Sequence, residues 1–115
     1  APITFHAGDA SNAGLSVEAM RVHSSRGVSI GNTTDPGATN LSVTGNLAVA
    51  TTLSAWKSVF NVVQLGTASN AYLAGRSDSN TTYWGENHYL NSSSQWIYTS
   101  TGYASQIFQD SLEFK

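Results

Sequence analysis

Six aromatic side chains crowd one stretch of this chain: Tyr83, Trp84, Tyr89, Trp96, Tyr98 and Tyr103. Glu86, Asn87 and His88 interleave with them. An amphipathic ring can stack on the face of a sugar, while a carboxylate, amide or imidazole beside it bonds the hydroxyls. Tyr83, Trp84, Glu86, His88 and Tyr89 are therefore the candidate sugar-contacting residues. Packing is the competing use of the same rings. Trp96 and Tyr98 alternate on one strand face, where filling an interior explains them better than recognition does.

Other chemistry finds little support. His6, His23 and His88 form no HxH or HExxH pair, and the chain has no cysteine, so no metal site is expected. Sugar cleavage needs two positioned carboxyls. Of the seven acidic residues only Glu86 lies in an aromatic setting, and Asp35 before Pro36 is explained by turn chemistry. No nucleophilic triad and no phosphate-cradling glycine loop can be argued. The expectation is a protein without catalytic residues or cofactors; a fragment of a polysaccharide depolymerase is the weaker alternative.

Composition narrows the partners. The formal net charge of −2 gives no electrostatic reason to bind nucleic acid. No apolar run approaches the roughly 20 residues of a membrane-spanning helix, so membrane insertion is not expected. Ser, Thr and Asn supply 38 of the 115 residues while charged residues supply only 10%, so hydroxyls and amides carry the solubility. The chain opens without an initiator Met and closes in the strand-like Leu112-Glu113-Phe114-Lys115, which reads as a fragment of a longer polypeptide.

The elements that would position these residues are short strands. Met20 and Val22 alternate with polar neighbours, Ser24 to Gly27 form a turn, and Val28 and Ile30 alternate again. Asn32 to Gly37 form a second turn around Pro36. Leu41, Val43, Leu47, Val49 and Leu53 then recur with period 2, interrupted at Thr44-Gly45-Asn46, and are expected to face a core. Three segments follow: a β stalk over 1–53 with an entry strand at Ile3 and Phe5, a connector over 54–80, and an aromatic hairpin segment over 81–115. In the connector, Trp56, Val59, Phe60 and Val63 fit a short helix, while the β-branched content fits a buried strand equally well. Residues 67–80 read as a polar link. In the last segment Asn91 to Ser94 form the hairpin turn between Tyr83–Leu90 and Gln95–Thr99, and Tyr103–Gln109 is a further strand.

Two of these segments together resemble bacteriophage tail fibre and tailspike modules. The first is Met20 to Leu53, which is similar to the strand–GNVGIGTT-P-G–LxVxGN pattern often found upstream of endosialidase-type intramolecular chaperones. The second joins Asn87, Tyr89, the Asn91–Ser94 turn, Trp96, Tyr98, Thr101, Gly102, Ala104 and Ser105. Arg26 and Asn32 depart from the usual residues of the first pattern, and the self-cleaving chaperone domain is not in this chain. The resemblance implies an elongated, intertwined homotrimer of short strands, β-prism or β-helix-like. Its place would be the phage tail of a virion, among other tail proteins, contacting a host surface glycan or outer-membrane receptor. A shaft segment with recognition elsewhere is the alternative.

The expected fold class is thus all-β, with one short helix near Trp56 as the competing reading of the connector. Short strands also leave unpaired edges, which in a small chain invite association with further copies.

Overall fold

The computed structural model describes residues 1–8, 16–66 and 70–110. The expected strand at 112–114 and most of the loop at 7–14 lie outside the described residues. Among the described residues eleven strands make three sheets and no helix occurs. The strands fall into two compact units, Ala1–Gly45 and Asn46–Lys115.

The first unit holds β1 (Ile3–Gly8), β2 (Ser16–Val22), β3 (Val28–Ile30) and β4 (Leu41–Val43), in that order across one sheet. The β2–β3 hairpin forms where alternation predicts it, and Arg26 takes a left-handed φ of 72° in its turn. Residues 31–40 return the chain so that β4 pairs parallel to β3. Within that loop Asp35 accepts from the Ser25 hydroxyl at 2.8 Å and from the Gly37 amide at 2.9 Å. Both bonds hold its carboxyl below its ordinary value. Register puts Ile3, Val22, Val28 and Leu41 in one row and Phe5, Met20, Ile30 and Val43 in another. Residues directly opposite share a face, so one side of this sheet is apolar throughout these rows.

That apolar side is open. Leu41 is 63% exposed, Ile3 60% and Phe5 53%, so the expectation that Leu41 and Val43 face a core fails in the single chain. What is buried in this unit is polar. His23 and Ser29 share a 2.9 Å hydrogen bond on the opposite side, and Asn32 donates to Thr44 and Ser42 nearby.

The second unit contains β5 (Leu47–Val49), β6 (Phe60–Leu65), β7 (Ala71–Arg76), β8 (Thr82–Glu86), β9 (His88–Leu90), β10 (Trp96–Tyr98) and β11 (Ser105–Gln109). A five-stranded sheet runs β11-β8-β7-β6-β5, and β9 and β10 form a separate hairpin. The competing helix near Trp56 is ruled out: residues 58–59 turn and Phe60 opens a strand whose burial alternates along its length. Pairing with two neighbours and burial of Phe60 and Val62 favour the period-2 reading of this run. β7 corrects the expectation of a polar link at 67–80. Its Tyr72 and Ala74 are buried at the middle of the sheet.

One face of that sheet carries the core. Phe60, Val62, Tyr72, Ala74 and Leu90 are buried, with Trp56, Val59 and Tyr83 packed against them. Trp56 meets Tyr72 edge-on with ring centroids 4.7 Å apart, and its indole nitrogen donates to buried Gln64 at 2.9 Å. Gln64 also accepts from the Ser54 amide and donates to the Thr52 carbonyl, which satisfies an amide buried in this core. The opposite face presents Leu47, Val63, Leu73, Trp84 and Ile107, cross-strand neighbours in a single row. Each is 37% exposed or more, so Leu47 and Val49 also fail to face a core here.

Candidate functional site

The chain passes from β8 to β9 through Asn87, and this one residue organises the aromatic region. Asn87 has a φ of 61° and is 1% exposed. Asparagine enters the left-handed region more readily than other residues with a side chain. The break there takes the chain out of the five-stranded sheet and into the β9–β10 hairpin. The Asn91–Ser94 turn closes that hairpin as expected, with Asn91 Oδ1 accepting from the Ser93 and Gln95 amides.

Around this pivot the five sequence candidates go to different places. Tyr83 lies on the core face, stacked on Phe108 at 6.0 Å and beside Phe60 at 5.7 Å. Trp84 and Glu86 lie on the other face of β8. Trp84 stands in the apolar row at 46% exposure, and Glu86 accepts from the Ser105 hydroxyl at 3.2 Å. Tyr89 is half-buried, its ring 6.0 Å from Trp56. His88 is buried. The structure therefore brings Trp84 and Glu86 onto one open face and separates both from Tyr83 and His88.

The surroundings of His88 show how closely its ring is held. Nδ1 donates to the Glu86 carbonyl at 2.8 Å, which leaves Nε2 to accept from the Tyr72 hydroxyl at 3.0 Å. The side-chain oxygen of Gln106 is also 3.0 Å from Nε2. Burial, with the Tyr83 hydroxyl nearby, pushes the Tyr72 hydroxyl far above its ordinary value, so it remains a donor. The Trp96 ring closes the cluster with its centroid 4.6 Å from the imidazole. Gly85 makes this packing feasible. A Cβ there would stand 2.5 Å from the Tyr72 hydroxyl and 2.7 Å from the Ser105 carbonyl.

Trp96 meets the Tyr83 and His88 rings yet stays 40% exposed, while Tyr98 is 64% exposed and Tyr103 98% exposed. Residues 98–102, Tyr98 among them but not Tyr103, line a shallow, open depression of about 450 Å³. Alternation alone groups Tyr98 with the packing residue Trp96 and assigns this loop no role. The signal that could have found it is the pairing of Asn87 with the run Tyr98-Thr99-Ser100-Thr101-Gly102-Tyr103, polar and ringed at both ends. Among the described residues no three His, Asp or Glu side chains converge as metal ligands would. No protein-family model, curated protein or solved structure matches this chain.

Proposed function

We propose that this chain is a structural and receptor-binding part of a phage tail fibre or tailspike, non-enzymatic, assembling as an elongated homotrimer that attaches the virion to the host surface. The resemblance of Met20–Leu53 and of the Asn87–Ser105 region to such modules supports this reading. The observation that carries it is the pair of uncovered apolar sheet faces. A monomer that exposes Ile3, Phe5, Leu41, Leu47, Val63, Leu73 and Ile107 leaves apolar surface typical of an interface. Three identical copies related by a rotation axis would cover equivalent faces at once. β1 and β5, each at a sheet edge and exposed along its length, offer unpaired backbone for the same purpose.

Light scattering at micromolar concentration tests the assembly. A trimer whose melting temperature rises with protein concentration is the expected result, and a stable folded monomer overturns it. Recognition is tested separately with Trp84→Ala. Trp84 stands between Leu73 and Ile107 in the same row, so Trp84→Ala loses the trimer where copies cover that row, and loses only host-cell adsorption where Trp84 and Glu86 meet the receptor instead. The shaft reading, with recognition elsewhere, draws on the burial of His88 and the packing of Tyr83. It gains if Trp84→Ala dissociates the trimer, or if the intact wild-type assembly does not adsorb to host cells.

A further inference from the structure

We propose that the loop 98–103 is a binding site for a neutral sugar ring, with Tyr98 in the lining of its depression and Tyr103, the residue that follows that lining, as its stacking rings. This rests on the reading of the chain as a host-recognising part, and it moves the sugar contact from the Trp84 face to the far end of the β9–β10 hairpin.

Exposure is the first reason. Tyr103 is 98% exposed and Tyr98 64%, in a molecule whose other tyrosines are buried or half-buried. Rings left this open have their apolar faces available to a ligand. The faces of hexoses present C–H groups that pack on such rings, while the phenol hydroxyl at the edge remains free to bond.

Rigidity is the second. The loop is tied to buried Asn87 by six hydrogen bonds. Asn87 Oδ1 accepts from the Thr99 hydroxyl at 2.9 Å, the Ser100 amide at 2.8 Å and the Ser100 hydroxyl at 2.7 Å. Its Nδ2 donates to the Ser100 carbonyl at 3.3 Å and the Tyr103 carbonyl at 3.1 Å, and its carbonyl accepts from the Thr99 amide at 3.1 Å. A loop already ordered before binding loses little entropy on meeting its ligand.

The polar groups define the ligand class. Thr99 and Ser100 each donate their hydroxyl proton to Asn87, which leaves their oxygens as acceptors. Thr101 is exposed and engages no partner among the described residues, so it can donate as well as accept. Acceptors beside a donor suit the hydroxyls of a sugar. The lining residues Tyr98, Thr99, Ser100, Thr101 and Gly102 carry no charge, so nothing in that lining compensates a carboxylate or a phosphate.

Saturation-transfer NMR on the whole chain tests the site, with maltotriose, mannotriose and lactose as neutral probes and sialyllactose as the charged comparison. Transfer to ring protons of at least one neutral probe is expected, with no stronger transfer to sialyllactose. Tyr103→Ala and Tyr98→Ala should each weaken that binding at least tenfold with the circular dichroism of the wild type, since neither ring supports the core. Absence of transfer from all three neutral probes overturns the proposal, as does transfer that survives in both variants. Host-cell adsorption separates this site from the attachment reading. Adsorption that persists in the Tyr98→Ala/Tyr103→Ala double variant refutes this site as the contact and leaves attachment standing. A wild-type assembly that binds the neutral sugar through these tyrosines but does not adsorb to cells refutes attachment and leaves the sugar site standing.

Discussion

The two units differ in what they bury. The unit Ala1–Gly45 buries His23 and Ser29 and opens its apolar side; the unit Asn46–Lys115 builds an aromatic core on one face of its sheet and opens the other. Hydrogen bonding in a buried pair such as His23–Ser29 adds only about 1 kcal/mol net, whereas burying one large apolar side chain contributes roughly 1.5–3 kcal/mol. A sheet held by its ladder, its turns and a buried polar pair is therefore short of driving force. The second unit has that force on one side through Phe60, Val62, Tyr72 and Leu90. The contrast teaches that a regular strand pattern does not by itself make a core. The alternating rows exist in both units, and only one row set in one unit has something packed over it.

Separating the units should break the comparison most sharply. A peptide of residues 1–45 should show random-coil amide shifts in solution, while residues 46–115 should keep dispersed aromatic resonances. A well-dispersed spectrum from 1–45 alone would mean its polar side suffices, and the difference between the units would collapse.

Within the second unit, Phe60→Ala should cost about 3–5 kcal/mol, because the ring fills the space between Trp56 and Tyr83 and carries the Arg76 guanidinium 5.3 Å from its centre. Urea denaturation followed by Trp fluorescence would read it. A cost under about 1 kcal/mol would deny this face its role as the core.

Leu73→Lys asks the same of the open face. It places a charge in the middle of the row Leu47, Val63, Leu73, Trp84, Ile107 without touching the core side. If copies cover that row, an unpaired charge inside the contact costs several kcal/mol and the assembly should dissociate. Sedimentation unchanged from wild type would leave the row facing water.

Asn87→Ala should be milder, about 1–3 kcal/mol, from donors and carbonyls of residues 99–103 left without their partner. Hydrogen exchange should quicken at the Thr99 and Ser100 amides first, and unchanged exchange there would remove Asn87 from its clamping role.

Acid gives the smallest effect. The Arg21 guanidinium bonds Glu18 and holds its carboxyl below 4.5, and Arg76 does the same for Asp78 below 3.8. A carboxyl that is more acidic in the folded chain stabilises above its ordinary value, and that contribution fades as pH falls through the lowered one. The Arg76–Asp78 pair is exposed on its carboxylate side and screened, while the Arg21–Glu18 pair is part-buried. Melting temperature should thus fall slightly below about pH 4, and Glu18→Gln should remove part of that slope. A melting temperature that rises on acidification would contradict the pairing.

Much of the strand pattern was legible in the residues. The β2–β3 hairpin, the break at Thr44-Gly45-Asn46 and the Asn91–Ser94 turn follow from period-2 alternation and turn chemistry, which act over a few neighbouring residues. β7 was not legible, since Ala71-Tyr72-Leu73-Ala74-Gly75-Arg76 carries small residues whose place is set by neighbours on both sides. The five receptor candidates were chosen by closeness along the chain. Alternation across β8 and the left-handed turn at Asn87 send adjacent residues to opposite faces, so closeness in sequence could not keep them together. Which residues share a row is a local property, and the chain determined it by itself. Which row is covered depends on what lies above the sheet, and only the tertiary structure decided that: Trp56 and the β9–β10 hairpin close over Phe60 and Tyr72, and none of the described residues closes over Leu73.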